Sequence, residues 1–501
     1  LNRRVFAPVL ILILSSLACN FIMRPFLPPT PGPVAPPERG GDPYRFTPIP
    51  PPTGAPPSQV TPTPVQKTSP DIDPDDLAHP DRPQLSGEVR VVDTPHFRIH
   101  YTESGRDQVP PRDDNNNSIP DYVEQVAEAL EYSWEVQINQ LGWPAPPPDR
   151  GIGGDDRYDV YLEDLYDDGT AGYADGGYRE TIVGDNPNTP GVVEEAASYS
   201  FISLDNDFAE NDEWGTPGVS ALDAMRVTAA HEFNHAIQYG FDALEPANWL
   251  WESTATWMES IVYDQINDGD YYLESVFRSP DICQIAEGGE ERIEDEGHWY
   301  GMWIFIRYLS EQYGNDVVRA IWERAAFEDG YAALEPALIE AGTDLDQVFQ
   351  GFAIALLTRD FEKGAAYPLV RLEGAVSAGE RFEPESGVQQ MAADFVQVYG
   401  QGPVAVRLDG LDDAVLVALR VGEGQAEVYP LQDGQVAVDA SRYTHLYLIV
   451  LNLERVEQEY ACRTTDYAVT VSPASQTDVP AQSLYVPNFR PPFLELFFEQ
   501  E

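Results

Sequence analysis

The chain runs to 501 residues, 43% of them apolar, with 30 basic residues against 84 acidic ones and a net charge of −54. A surface so acidic repels nucleic acid and anionic membranes, which excludes partners of both kinds. It suits an extracellular protein, and solubility, calcium or high salt would each account for it.

The N-terminus has the order of a secretory signal. Arg3 and Arg4 precede an apolar run from Val5 to Leu17, followed by Ala18 and Cys19. At 13 residues the run is short for a bilayer span. The Leu-Ala-Cys end resembles a bacterial lipobox, which makes Cys19 a candidate lipidation site. The other reading is an ordinary signal peptide cut nearby. Residues 1–19 are thus expected to be a leader, with membrane attachment only through an N-terminal lipid anchor and an extracytoplasmic location, in the cell envelope or secreted.

Residues 20–85 hold 20 of the 44 prolines, so they bury no core and favour extended polyproline conformations. This segment reads as a disordered stalk. A proline-rich recognition ligand is the alternative.

Folding is expected from Gly87. Val89–Val92 and Phe97–Tyr101 alternate as strands. The stretch Asp113 to Glu124 then has the spacing of an EF-hand-type loop. Asp113, Asn115, Asn117, Asp121 and Glu124 stand at oxygen-donor positions, and Ile119 at the position that offers a backbone carbonyl. Ser118 replaces the usual glycine. The loop is read as a Ca²⁺ site; a polar turn capping the next helix is the alternative. That helix runs to about Leu141. Tyr158–Leu162 and Ala197–Leu204 read as further strands, and Asp205, Asn206 and Asp207 as a turn.

Residues 231–235 read His-Glu-Phe-Asn-His. On a helix His231 and His235 share one face. Ser220 with Asp223 forms the capping box that starts this helix, and Gly240 stops it. Two imidazoles so placed hold a Zn²⁺, and Glu232 beside them takes a proton from water. Six residues past His235 stands Phe241, so the metzincin arrangement fails. Downstream, Trp251 to Glu259 (WESTATWME) reads as a second helix, and antiparallel packing would return Glu252 to the histidines.

An HExxH motif followed by a Glu on the next helix resembles the gluzincin zinc metallopeptidases, here a secreted bacterial branch. Glu252, Ala255, Thr256, Trp257 and Glu259 fall in step with the aminopeptidase-like members. The likeness covers residues 220 to 360. It implies His231, His235 and Glu252 as zinc ligands and Glu232 as the general base. Glu259 is expected to orient a ligand or to brace the helix pair. Thermolysin-like members carry Asp where this chain has Thr256. The Gly-x-Met-Glu-Asn element that grips a free amino terminus is absent, which points to an endopeptidase acting on protein or peptide substrates. Tyr300 and His298 are candidates for stabilising the oxyanion, although Trp299 and Trp303 beside them suit core packing. Asp242 is a remote alternative ligand. In zincin folds a strand before the motif helix forms the edge that receives substrate, and Tyr199–Leu204 is expected to be that strand.

Further helices follow, among them Val317–Ala326 and one capped by Thr343. From residue 370 seven alternating segments between Phe395 and Val471 suggest a β-sandwich. The expected architecture is α+β: a zincin-like catalytic domain over 86–365, an all-β sandwich over 370–480 and a tail over 481–501. Cys283 and Cys462 are free to pair across the two. An inactive zincin-fold binding protein and a metallohydrolase acting on a non-peptide or glycopeptide substrate remain the alternatives.

Overall fold

The computed structural model describes residues 82–165, 170–209, 211, 215–283, 297–420, 425–455 and 462–479, together with the short strands 17–18 and 484–486. Most of the leader, Cys19, the proline-rich segment to residue 81 and most of the tail lie outside the described residues. Among the described residues no helix is long and apolar enough to cross a membrane.

The chain is mixed helix and sheet, as expected. Its N-terminal sheet contains β1 (Val89–Asp93), β2 (Phe97–Thr102), β3 (Tyr158–Glu163), β4 (Gly172–Gly176) and β5 (Ser200–Asp205). Its order is Leu17–Ala18, β4, β5, β3, β2, β1. Strands β2, β3 and β5 are parallel, while β1 and β4 run antiparallel to their neighbours. Alternation sets the faces. Phe97 of β2 meets Phe233 with ring centres 5.2 Å apart, so this face carries the helices. The next residue but two, His100, lies on the other face and meets Asp159 at 2.7 Å.

Helix α1 (Asp121–Trp134) continues as a π-helical turn over Glu135–Gln140, which gives the predicted reach to Leu141. Helix α2 (Ala221–Tyr239) begins where predicted. The Ser220 side chain accepts from the Asp223 N–H, a cap worth about 1 kcal/mol. Helix α3 (Asn248–Val262) returns along α2 and buries Trp249, Leu250, Trp257 and Met258. Helices over Trp303–Tyr313, Asp316–Ala325, Tyr331–Glu340 and Leu345–Thr358 complete this part.

One expectation is corrected. Strand β5, which holds Ser200–Leu204 of the predicted edge Tyr199–Leu204, is hydrogen-bonded on both sides, by β4 and β3. The outer position belongs to β4, with only Leu17–Ala18 beyond it.

The predicted strands after residue 370 form two sheets. The larger runs Leu484–Val486, Gln425–Pro430, Asp413–Arg420, His445–Asn452, Ala392–Tyr399, Gly374–Ser377, and the smaller runs Arg381–Phe382, Ala468–Pro473, Pro403–Asp409, Gln435–Asp439. In the strand Asp413–Arg420, Ala414, Leu416 and Ala418 fill the space between the sheets, and Val415, Val417 and Leu419 join the core of the helical part. The larger sheet is therefore buried on both faces, and the sandwich is welded to the helices. The disulfide between Cys283 and Cys462 ties the same seam across 179 residues. By chain entropy such a link contributes about 5 kcal/mol.

Candidate metal centre

Helices α2 and α3 bring three ligand-type atoms together. His231 Nε2 lies 3.3 Å from Glu252 Oε2, and His235 Nε2 lies 3.6 Å from the same oxygen. The two imidazole rings are 4.6 Å apart and nearly perpendicular. Zinc bonds of about 2.0–2.1 Å at tetrahedral angles put ligand atoms about 3.3 Å apart, so these spacings suit that ion. All three residues are buried.

The outer atoms of both imidazoles are tied down. Gln238 Nε2 donates to Asn234 Oδ1 (3.0 Å) and to the Trp251 carbonyl (3.2 Å), so its amide oxygen faces His235 Nδ1 and accepts from it at 2.6 Å. Asn234 Nδ2 in turn donates to Gln137 Oε1, on the extension of α1, at 3.1 Å, and all three amides are buried. Gln137 sends its own amide N–H to the Ala230 carbonyl rather than outwards, in effect donating 2.9 Å across to α2. His231 Nδ1 donates to Glu259 Oε1 at 2.6 Å. With the Nδ1 protons so committed, both Nε2 lone pairs are turned towards Glu252. His235 Nε2 is buried and has no hydrogen bond among the described residues, which is the condition of an imidazole held ready for a metal.

Charge points the same way. Glu232, Glu252 and Glu259 are 0%, 4% and 7% exposed and gather around two imidazoles. Three buried carboxylates are costly without a compensating cation. Burial pushes the Glu252 carboxyl up, but the His235 and His231 imidazoles outweigh it and hold it down at about 2. Glu259 has one imidazole for support, and burial drives it up to about 7.

Strand β4 crosses close to this helix. A Cβ on Gly172 would come within 2.8 Å of Thr228 and 3.2 Å of Glu232, so glycine permits the approach. Tyr300 stacks over His231 at 6.0 Å and on Tyr272 at 4.9 Å, which brings it to the site. His298 is not brought there. Its imidazole is 2% exposed, in an apolar pocket with Ile282, Met302, Phe349, Phe352 and Met391 at the sandwich seam. Burial lowers it to about 4, as for a neutral core residue. The sequence reading missed Gln238 and Gln137; a Gln three residues after His235 on a buried face was the available signal.

The loop at Asp113–Glu124 closes on itself. Asn115 and Asn117 donate to Glu124, at 2.9 and 2.6 Å. Asp113 accepts from the Asn117 and Ser118 N–H groups, and Asp121 from Asp114 N–H. Ser118 takes φ +72°, the conformation for which glycine is usual at that position. Ile119 N–H goes to Asn117 Oδ1. Four of the expected donors thus converge, on an exposed loop. Asp242 lies elsewhere, within 4.8 Å of Glu245 and Asp329 by its carboxylate rather than beside the histidines.

Residues 215–337 match a family of unknown function (DUF6055), and this stretch contains both ligand helices and Tyr300. No curated protein matches the chain.

Proposed function

We propose that the chain is an extracytoplasmic zinc metallopeptidase of gluzincin type with a zincin-like catalytic domain, and that it cleaves within protein or peptide chains. The observation that carries this reading is the convergence of His231 Nε2, His235 Nε2 and Glu252 Oε2 with both Nδ1 atoms anchored behind them. Parallel strands ending in an antiparallel outer strand beside the motif helix support the zincin-like reading.

A zinc ion held by these three residues supplies a Lewis acid and acidifies water towards neutrality. Glu232, the next residue to His231, accepts a proton from the attacking water at its carboxylate and delivers it to the leaving amine. Glu259 and Gln238 hold the imidazoles in orientation. The Tyr300 hydroxyl is the candidate donor to the developing oxyanion, since its ring stacks on His231. Strand β4 replaces Tyr199–Leu204 as the candidate substrate edge, open to an extended peptide once removal of the expected leader vacates the places that Leu17–Ala18 take beside Tyr173 and Ala174. Calcium in the Asp113–Glu124 loop would act as a structural clamp ahead of α1, and the lipidated Cys19 as an anchor.

The test is digestion of a mixed protein library by wild type and by Glu232→Gln, with bound zinc measured in both. Zinc in both and cleavage only by wild type is expected. Zinc without Glu232-dependent cleavage would favour a binding protein or another substrate class.

A further inference from the structure

Behind Glu259 lies a polar cavity with an empty volume of about 310 Å³, its mouth included. Thr256, Glu259, Asp270, Trp303, Arg307 and Tyr367 are among its walls. Three polar atoms of these walls are buried with no hydrogen-bond partner among the described residues: Thr256 Oγ1, Glu259 Oε2 and the Tyr367 hydroxyl. The residues are 1%, 7% and 3% exposed. They come from two separate parts of the chain. Thr256 and Glu259 share one face of α3, three residues apart, and Tyr367 lies past the last helix.

A single buried polar atom left unbonded is already costly, and three around one cavity call for a common partner. The charges identify it. Arg307 is committed to Glu311 at 2.7 Å and Glu362 at 2.9 Å, and Lys363, also in the wall, is committed to Asp264 at 2.8 Å. With both cations so committed, neither turns to Glu259 Oε2, and one carboxylate oxygen with two hydroxyls calls for a small partner that can both donate and accept. Water both donates and accepts, and fits all three atoms.

We propose that this cavity holds ordered water joining Glu259 Oε2 to Thr256 Oγ1 and the Tyr367 hydroxyl, and that Thr256 and Tyr367 are positioning residues for the metal ligand His231. The two oxygens of Glu259 face different ways. Oε1 takes the His231 Nδ1 proton, and Oε2 is steadied by the water. Loosening Oε2 lets the carboxylate turn and frees the imidazole behind it. This inference rests on the zinc reading of the site.

The experiment compares wild type, Tyr367→Phe, Thr256→Val and Thr256→Ser in zinc affinity, by competition with a chromophoric chelator, and in the visible absorption of the cobalt-loaded protein. High-resolution density for the wild-type cavity is collected alongside. Tyr367→Phe and Thr256→Val should each weaken zinc by about tenfold and shift the cobalt bands, with Thr256→Ser restoring both. A merely structural role would lower the melting temperature and leave the cobalt bands in place. Unchanged affinity and bands in both variants, or a dry cavity, would overturn the proposal. Should a variant fail to fold, the wild-type density still decides. Wild type that binds neither zinc nor cobalt overturns the zinc reading and the positioning role with it, while the density separately decides the water.

Discussion

The helix-pair site and the Asp113–Glu124 loop both gather ligand-type residues, and they do so in opposite ways. In the helix pair, the atoms that face away are bonded to Glu259 and Gln238, and the Nε2 atoms are left facing Glu252. In the loop, the oxygens themselves are taken, by Asn115, Asn117 and backbone N–H groups. The first arrangement is buried and pre-organised. The second is exposed and must exchange partners before it can hold an ion. Readiness for a metal therefore depends on what satisfies the rest of each ligand, and the difference predicts a tight site and a weak one.

The comparison would be broken first at its chemical centre. Glu232→Gln should cut peptide cleavage by about 10²–10⁴-fold while leaving zinc content at wild-type level, measured by turnover of a fluorogenic peptide and by elemental analysis. Glu252→Ala should abolish stoichiometric zinc after dialysis, because two histidines on one helix then stand alone. Retained zinc in that variant would mean a different third ligand.

Gln238→Ala sharpens the point about outer partners. It touches none of the three ligand atoms, yet zinc affinity should fall about 10- to 100-fold, read by chelator competition. An unchanged affinity would show that tying Nδ1 matters little here. The loop should give the smallest effect. At a dissociation constant of about 1 mM, 10 mM calcium stabilises by about 1.4 kcal/mol, and Glu124→Gln should remove that shift in calorimetry. Zinc-like affinity for calcium at the loop would erase the contrast.

How much of this could be read from sequence follows the range of the interactions. His231 and His235 were legible because helix periodicity puts them on one face, while Glu232 and Glu252 were legible from the HExxH motif with a Glu on the next helix, which a short loop folds back. The loop donors were legible from spacing within twelve residues. Gln238 was passed over because its role depends on Asn234 and on Gln137, which arrives from α1. Strand β4, Gly-Tyr-Ala-Asp-Gly, has no β-branched residue and reads as a loop; it is a strand because β5 offers it an edge. Tyr199–Leu204 has the plainer strand pattern and so reads as the edge, although β4 pairs beyond it. His298 sat beside Tyr300 in sequence, and only packing separates the ring over His231 from the one turned into the sandwich seam. The alternation within Asp413–Arg420 was plain, but that both of its faces are buried depends on which helices pack there.

The most direct measurement is zinc stoichiometry of the purified protein with and without the intact trio, read by elemental analysis after dialysis against a weak chelator. The account predicts one zinc per chain in wild type, one in Glu232→Gln and none in His235→Ala or Glu252→Ala. A wild-type protein that holds no zinc, or a Glu252→Ala protein that holds as much as wild type, would contradict it.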